Sequence, residues 1–283
     1  MAVFYNQAQL SYQNNVVNSN TVSAELVEVL SLSKTPVVPT YQIGDSVTYV
    51  LTLVNSGTVP YTGLTVTDNL GSYVVGNTTA TPLTYQVGSI RYYVNGVLQD
   101  APTVTSTAPL VVSGIYVPVN GNSTLIYQTT VNAYAPPASN GTVTNQATVS
   151  GPGLTNAQSA LATISTAQTP LLSICKSVSP ETVSENGQIT YTFLIENTGN
   201  TEASGDVVMT DTFDPILQNL SVTYNGQPWT ANTNYTYNTQ TGAFATLAGQ
   251  ITVPAATATQ DPATGLWSIT PGTSTLRVTG TVS

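Results

Sequence analysis

Tyr5-Asn6-Gln7-Ala8-Gln9-Leu10-Ser11, followed by Asn20-Thr21-Val22-Ser23-Ala24-Glu25-Leu26, recurs later as Thr144-Asn145-Gln146-Ala147-Thr148-Val149-Ser150, followed by Thr155-Asn156-Ala157-Gln158-Ser159-Ala160-Leu161. The later copy closes a β domain that begins near Leu32. A second β domain begins near Leu172 and reaches Ser283 without a closing copy. Met1 to Leu30 therefore reads as the end of a domain, placed ahead of the domain it would complete. The expectation is one hairpin at the front and one sandwich left open at the back.

Composition narrows what such a chain can do. Of its 283 residues only 6% are charged, against about 25% in ordinary globular proteins, so the surface must be built from Thr, Asn, Ser, Gln and Gly. A formal charge of −9 with four basic residues leaves nothing to neutralise a row of phosphates, which excludes nucleic acid as a partner. No apolar run reaches the roughly 18 residues of a membrane helix. Met1 to Leu10 has neither the basic start nor the apolar centre of a secretory signal, so the export route is not visible. The absence of histidine removes the commonest general base and the commonest neutral metal ligand together. No cofactor or metal is expected, and Cys175, the one cysteine, has no partner within the chain for a disulfide.

Short runs of Val, Ile, Thr and Tyr between Gly, Pro and Asn turns predict strands throughout. Val47-Thr48-Tyr49-Val50-Leu51-Thr52-Leu53 and Gly63-Leu64-Thr65-Val66-Thr67-Asp68 open the first module, and strands at 89–94, 110–119, 123–131 and 143–150 complete it. Pro136 to Gly141 reads as a loop. Lys34, Tyr49 and Asn55 return at the same spacing as Lys176, Tyr191 and Asn197, and Asp68 returns as Asp211 with one residue inserted. This gives an all-β chain of three parts: a donor segment over 1–30, a complete domain over 31–168, and a domain lacking its closing strands over 169–283.

At these residues the chain resembles the bacterial surface repeat called domain of unknown function 11. The matching motifs are Lys34, Gly44-Asp45, Thr48-Tyr49, Asn55-Ser56-Gly57 and Thr67-Asp68-Asn69-Leu70, then Lys176, Thr190-Tyr191, Asn197-Thr198-Gly199 and Thr210-Asp211-Thr212-Phe213. The second copy departs from the pattern with Asn186-Gly187-Gln188 in place of Gly-Asp. The resemblance implies two tandem immunoglobulin-like β-sandwiches and a cell-surface or extracellular structural role, with no activity on a substrate.

The chain has two lysines, and both occupy the same repeat position. Lys34 shares a strand face with Leu32, and Lys176 shares one with Ile174, so each ammonium is aimed into a sandwich. Burial drives such an amine toward its neutral, nucleophilic form. Asp68 has an acidic counterpart in Asp211, and a buried carboxyl can hold a proton and donate it to a carbonyl. Asn145 in the closing strand supplies that carbonyl. Lys34, Asp68 and Asn145 are similar in type to the self-forming isopeptide triads of pilus and adhesin sandwiches, in which lysine attacks the amide, the acid shuttles protons and ammonia leaves. A buried Lys–Asp pair bonded to an Asn amide satisfies the same groups without a covalent step, and three exposed positions would be the blandest alternative. Asn6 stands where Asn145 stands, which makes Lys176, Asp211 and Asn6 of a neighbouring copy the second triad.

The function expected from this reading is a structural subunit of an extracellular or cell- or spore-surface fibre. Copies join head to tail by donor-strand addition, crosslinked within (Lys34–Asn145) and between subunits (Lys176–Asn6). The alternatives are a monomeric or anchored adhesin or spacer, and a glycan-binding or hydrolytic module. For the last, the acids are too sparse.

Overall fold

The computed structural model describes residues 2–282, leaving Met1 and Ser283 outside the described residues. It contains strands and turns and no helix among those residues. Two compact units emerge from the contacts: residues 1–73, 81–132 and 143–164 form the first, and residues 74–80, 133–142 and 165–283 the second. Both loops 74–80 and 133–142, read above as part of domain 31–168, cluster with the second unit. One of their bonds there runs from Asn200 Nδ2 to the Pro137 carbonyl.

The first unit is a sandwich whose core follows from alternation. Along Ser46–Asn55, the residues Val47, Tyr49, Leu51 and Leu53 are all buried while the intervening ones are not, as expected for a strand with one face in the core. That strand lies between Gly121–Val131 and Leu30–Pro36 in a six-stranded sheet completed by Arg91–Val94, Val97–Gln99 and Leu83–Tyr85, the last also paired with Gly121–Val131. The facing sheet runs in the order Thr103–Thr107, Leu110–Val117, Tyr61–Asp68, Thr142–Ser150, Gln158–Thr166 and Thr40–Tyr41. The first strand starts at Leu30, one residue earlier than the sequence reading has it, and Leu30 is itself buried.

The second unit repeats the first sheet as Leu172–Ser179, Gln188–Asn197, Gly272–Val282, Leu217–Tyr224 and Gln227–Trp229. Its facing sheet is smaller: Thr210–Thr212, Ala243–Thr246 and Tyr235–Tyr237. In the first unit the acid-bearing strand Tyr61–Asp68 has neighbours on both sides, Leu110–Val117 and Thr142–Ser150. Its counterpart Thr210–Thr212 pairs with Ala243–Thr246 alone among the described residues. As a result Leu172–Ser179 is exposed along its whole length, with Leu172 at 44% and Ile174 at 56% of their full exposure.

Residues 2–26 form a hairpin of their own. Ala2–Asn6 pairs with Val22–Leu26, and Gln9–Tyr12 with Asn15–Asn18. Gln13 and Asn14, both at positive φ, make the two-residue turn that matches the twist of a hairpin. Asn6 faces Val22, and Phe4 faces Ala24. In the closing hairpin, the Thr144–Thr163 and Thr148–Ser159 hydroxyl contacts place Asn145 opposite Ala162. Val22 is thus the counterpart of Ala162, which corrects the sequence match of Asn20–Leu26 to Thr155–Leu161 by five positions. Strand pairing sets this register, and a composition of Thr, Ala, Ser and Asn does not report it.

Alternation places Phe4, Asn6, Ala8 and Leu10 in the pattern of the buried Val143, Asn145, Ala147 and Val149. Here, however, Phe4 and Leu10 are 56% and 69% exposed. Because residues 3–25 are exposed, deleting 1–26 is expected to leave the urea stability of the first unit within about 0.5 kcal/mol of the full chain. A larger loss in that unit's transition would show that the hairpin supports it.

Candidate functional site

The lysine strand of the first unit, Leu30–Pro36, buries Leu30 and Lys34 on one face. Lys34 Nζ lies 2.6 Å from Asp68 Oδ2, and the two side chains are 0% and 1% exposed. Asp68 ends its strand, and its turn is tied down from both directions. Asp68 Oδ1 accepts the Leu70 N–H at 2.8 Å, with Leu70 held at a φ of 54°. Asn69 Oδ1 accepts the Gly71 and Gln146 N–H groups, each at 2.9 Å, which fixes the acid against the closing strand. Tyr127 adds a phenolic hydrogen bond to Asp68 Oδ2, and the Tyr49 ring lies 4.9 Å from the ammonium.

Asn145 comes from the closing strand and is completely buried. Its amide lies near the Tyr49 and Tyr127 phenols, close enough to bias their ionisation. Yet neither Asn145 Nδ2 nor Oδ1 has a hydrogen-bond partner among the described residues, and the Tyr49 hydroxyl has none either. A buried polar group left unpaired costs about 1–3 kcal/mol, and such groups call for an explanation.

Burial in this pocket favours the neutral forms of Lys34, Tyr49 and Tyr127. Burial brings Lys34 down to about 8 against the opposing pull of the Asp68 carboxylate. Burial also raises both Tyr49 and Tyr127, and Asp68 adds to each shift.

In the second unit Lys176 Nζ lies 2.5 Å from Asp211 Oδ2, repeating the first pair, but here the side chains are 41% and 18% exposed. Three rings surround the ammonium, Tyr191 at 4.7 Å and Phe193 and Phe213 at 5.5 Å each. Val278, opposite Tyr191, stands where Tyr127 stands opposite Tyr49, so this strand brings no phenol to Asp211. Asn6, on the free hairpin of the first unit, is exposed and paired with Val22. Cys175 is exposed with a free thiol.

The sequence reading did not assign roles to Tyr127, Tyr49 and Asn69. Tyr49 and Asn69 lie inside the repeat motifs, and Tyr127 alternates with the other buried residues of Gly121–Val131. That pattern marks a core position without showing that its hydroxyl serves the acid. Asn55 and Asn197, from the same motifs, are turn braces. Each accepts the N–H two residues on and donates to loop carbonyls.

No family model matches the sequence, and no curated protein does. Among solved structures, the pilus backbone RrgB of Streptococcus pneumoniae is 12% identical with a TM-score of 0.36, over 86% of this chain and 55% of that one. The major pilin subunit of Bacillus cereus is 10% identical with a TM-score of 0.36, over 98% and 74%. A family 123 glycoside hydrolase from Clostridium perfringens is 12% identical with a TM-score of 0.32, over 50% and 28%. The chain thus spans less than two thirds of the hydrolase and of the pilus backbone. Likenesses this distant assign no function.

A lysine whose folded pKa is below its unfolded value makes the unfolded chain the better proton binder between the two, so stability rises with pH across that interval. In Asn145→Ala, where Lys34 stays a free amine, the urea midpoint of the first unit is expected to climb from about pH 8 toward pH 10, where tyrosine ionisation begins. A flat profile in that variant would mean that the amine is not desolvated.

Proposed function

We propose that the chain is a structural subunit of a surface fibre. Each copy lends its 2–26 hairpin to the second unit of a neighbour, and isopeptide bonds fasten each unit. One observation carries this reading. A free-standing hairpin shows a Phe4-Asn6-Ala8-Leu10 face of the kind that closes the first unit, while the second unit leaves a matching Lys176–Asp211 pair and its lysine strand open to solvent.

Strand addition would bring main-chain bonds to the unpaired side of Thr210–Thr212 and cover Leu172 and Ile174. Apolar burial is worth roughly 25 cal/mol per Å². Donor and acceptor are different surfaces, so the interface is heterologous and each added copy presents a fresh acceptor.

Within the first unit, neutral Lys34 Nζ attacks Asn145 Cγ. A new C–N bond forms and the Cγ–Nδ2 bond breaks. Asp68 passes the amine's proton to the leaving nitrogen, and ammonia departs. Nothing is oxidised or reduced, and each centre reacts once, so the chain is not a turnover enzyme. The unpaired Asn145 amide supports this reading, since conversion to a secondary amide removes the Nδ2 group that otherwise lacks a partner. Between subunits, Lys176, Asp211 and the neighbour's Asn6 play the same parts.

Intact mass is expected to show the 1–26 deletion variant one ammonia lighter than its sequence, and Asp68→Ala at full mass. Full mass in the unsubstituted deletion variant would leave a non-covalent triad. Electron micrographs of the full chain should show fibres that survive boiling in detergent with reductant. Lys176→Ala and Asn6→Ala should still form fibres but run as monomers on a denaturing gel. Fibres formed by the deletion variant would rule out hairpin donation.

A further inference from the structure

Resting on that hairpin donation, we propose that the Lys176 centre is a docking-gated coupling site: its substrate is a β-strand carboxamide on a second copy of this chain, and it reacts only when that strand is seated in register. The chemical parts of the centre are already assembled. Lys176 and Asp211 are in contact at 2.5 Å, and the lysine strand keeps its register, with Lys176 opposite Phe193 as Lys34 is opposite Leu51. Two things are missing, the electrophile and the cover.

The cover decides reactivity. An ammonium has no lone pair with which to attack, and what drives off its proton inside a sandwich is loss of water. In the closed centre Lys34 is 0% exposed and in the open one Lys176 is 41% exposed, and the first unit has a strand over its acid that the second unit's described residues do not supply. Until that strand arrives, the Lys176 nitrogen stays in reach of water, with the Tyr191 ring 4.7 Å and the Phe193 and Phe213 rings 5.5 Å away. Seating the hairpin excludes water and delivers the carboxamide in the same event. Glutamine and asparagine side chains that merely diffuse past the open centre meet a hydrated amine with no strand to hold them against it.

Register is read by the same event. Phe4, Ala8 and Leu10 are apolar at alternate positions, so a slip of two residues preserves the buried pattern and strand pairing alone distinguishes the registers weakly. A slip of one would turn the apolar face outward. On the Phe4–Leu10 face, Asn6 is the carboxamide, while Gln7 and Gln9 fall on the opposite face. A hairpin slipped by two therefore sets Phe4 or Ala8 beside Lys176, forms no bond and can leave. The in-register hairpin is fixed.

Two full-length chains test this. Lys176→Ala keeps a competent hairpin but no nucleophile, and Asn6→Ala keeps the nucleophile but no electrophile. Mixed, they are expected to give a covalent dimer one ammonia lighter than their sum, with no higher ladder. Adding Phe4→Asp to the Lys176→Ala chain leaves Asn6 exposed but spoils the docking face, and is expected to abolish the dimer. Moving the amide, as Asn6→Ala with Ala8→Asn in the Lys176→Ala chain, is expected to give a dimer linked through residue 8, because a hairpin slipped by two sets that position beside Lys176. A dimer formed at the unsubstituted rate with Phe4→Asp would show that the amine reacts without docking and would overturn the gate. Absence of a dimer from the Ala8→Asn chain would show that strand pairing, and not the bond, sets the register, and would overturn the register reading. If the first mixture associates on a sizing column without a covalent dimer, the coupling site itself is wrong. If it does not associate at all, hairpin donation fails with it.

Discussion

The cost of taking a lysine out of water is the constraint on which this molecule turns. An isolated ammonium in an apolar interior is prohibitive, and a buried pair is tolerable only when its remaining hydrogen-bonding capacity is met. In the first unit, nearly every group around Lys34 is arranged toward that end. Asp68 is the counter-charge, Tyr127 occupies a further lone pair of the acid, and the Asn69 side chain joins the acid's turn to the strand that carries Asn145. The arrangement leaves the Asn145 amide and the Tyr49 hydroxyl unpaired. Two unpaired groups beside a depressed lysine amount to a ground state under tension, and the covalent bond proposed above relieves it by removing the charge and one donor group together.

A chain with so few charges has little other means of holding its parts. Among the described residues, the two Lys–Asp contacts are the ion pairs recorded, and both sit at the repeat's lysine position. Surface ion pairs contribute little in any case. What remains is sheet pairing and alternating apolar burial, which fold the sandwich but specify register weakly where Ala, Thr and Ser dominate. The side-chain bond proposed above would add, at one defined position, the specificity that this composition lacks.

That composition also sets what can be read before the structure. The repeated lysine, tyrosine and aspartate stood out because charged residues are scarce, and the strands because Val, Leu and Tyr alternate. The Asn145 position showed through the Asn-Gln-Ala repeat. The second strand of the hairpin did not, since its residues are interchangeable in character and the turn between the copies differs in length. Along the hairpin's first strand, Phe4 shares the side of Asn6 and Val3 lies on the other. The Tyr127 bond to Asp68 is a contact between strands far apart in sequence, which no local pattern encodes.

The placement of the hairpin gives the proposed fibre its grammar. In the first unit the closing strand ends at Thr166 and the next lysine strand starts at Leu172. In the donor segment the hairpin ends at Leu26 and the lysine strand starts at Leu30. Each lysine strand is thus preceded, after a short connection, by a hairpin suited to closing the module before it. Within a chain that earlier module is the first unit; in the proposed fibre it would be, for the 2–26 hairpin, the second unit of another copy. A fibre built this way repeats one motif, sandwich then closing hairpin, whether or not a peptide bond joins the successive sandwiches. The shorter connection at Val27 to Val29 leaves less slack than Ala167 to Leu171, so a hairpin bonded at Asn6 holds its own first unit close to the module it closes. Pulling force along such a fibre would pass from Lys176 through Asn6 and along residues 7–29 to Leu30, bypassing the rest of the second unit after Lys176. The covalent link therefore carries load that strand addition alone would have to resist through main-chain hydrogen bonds.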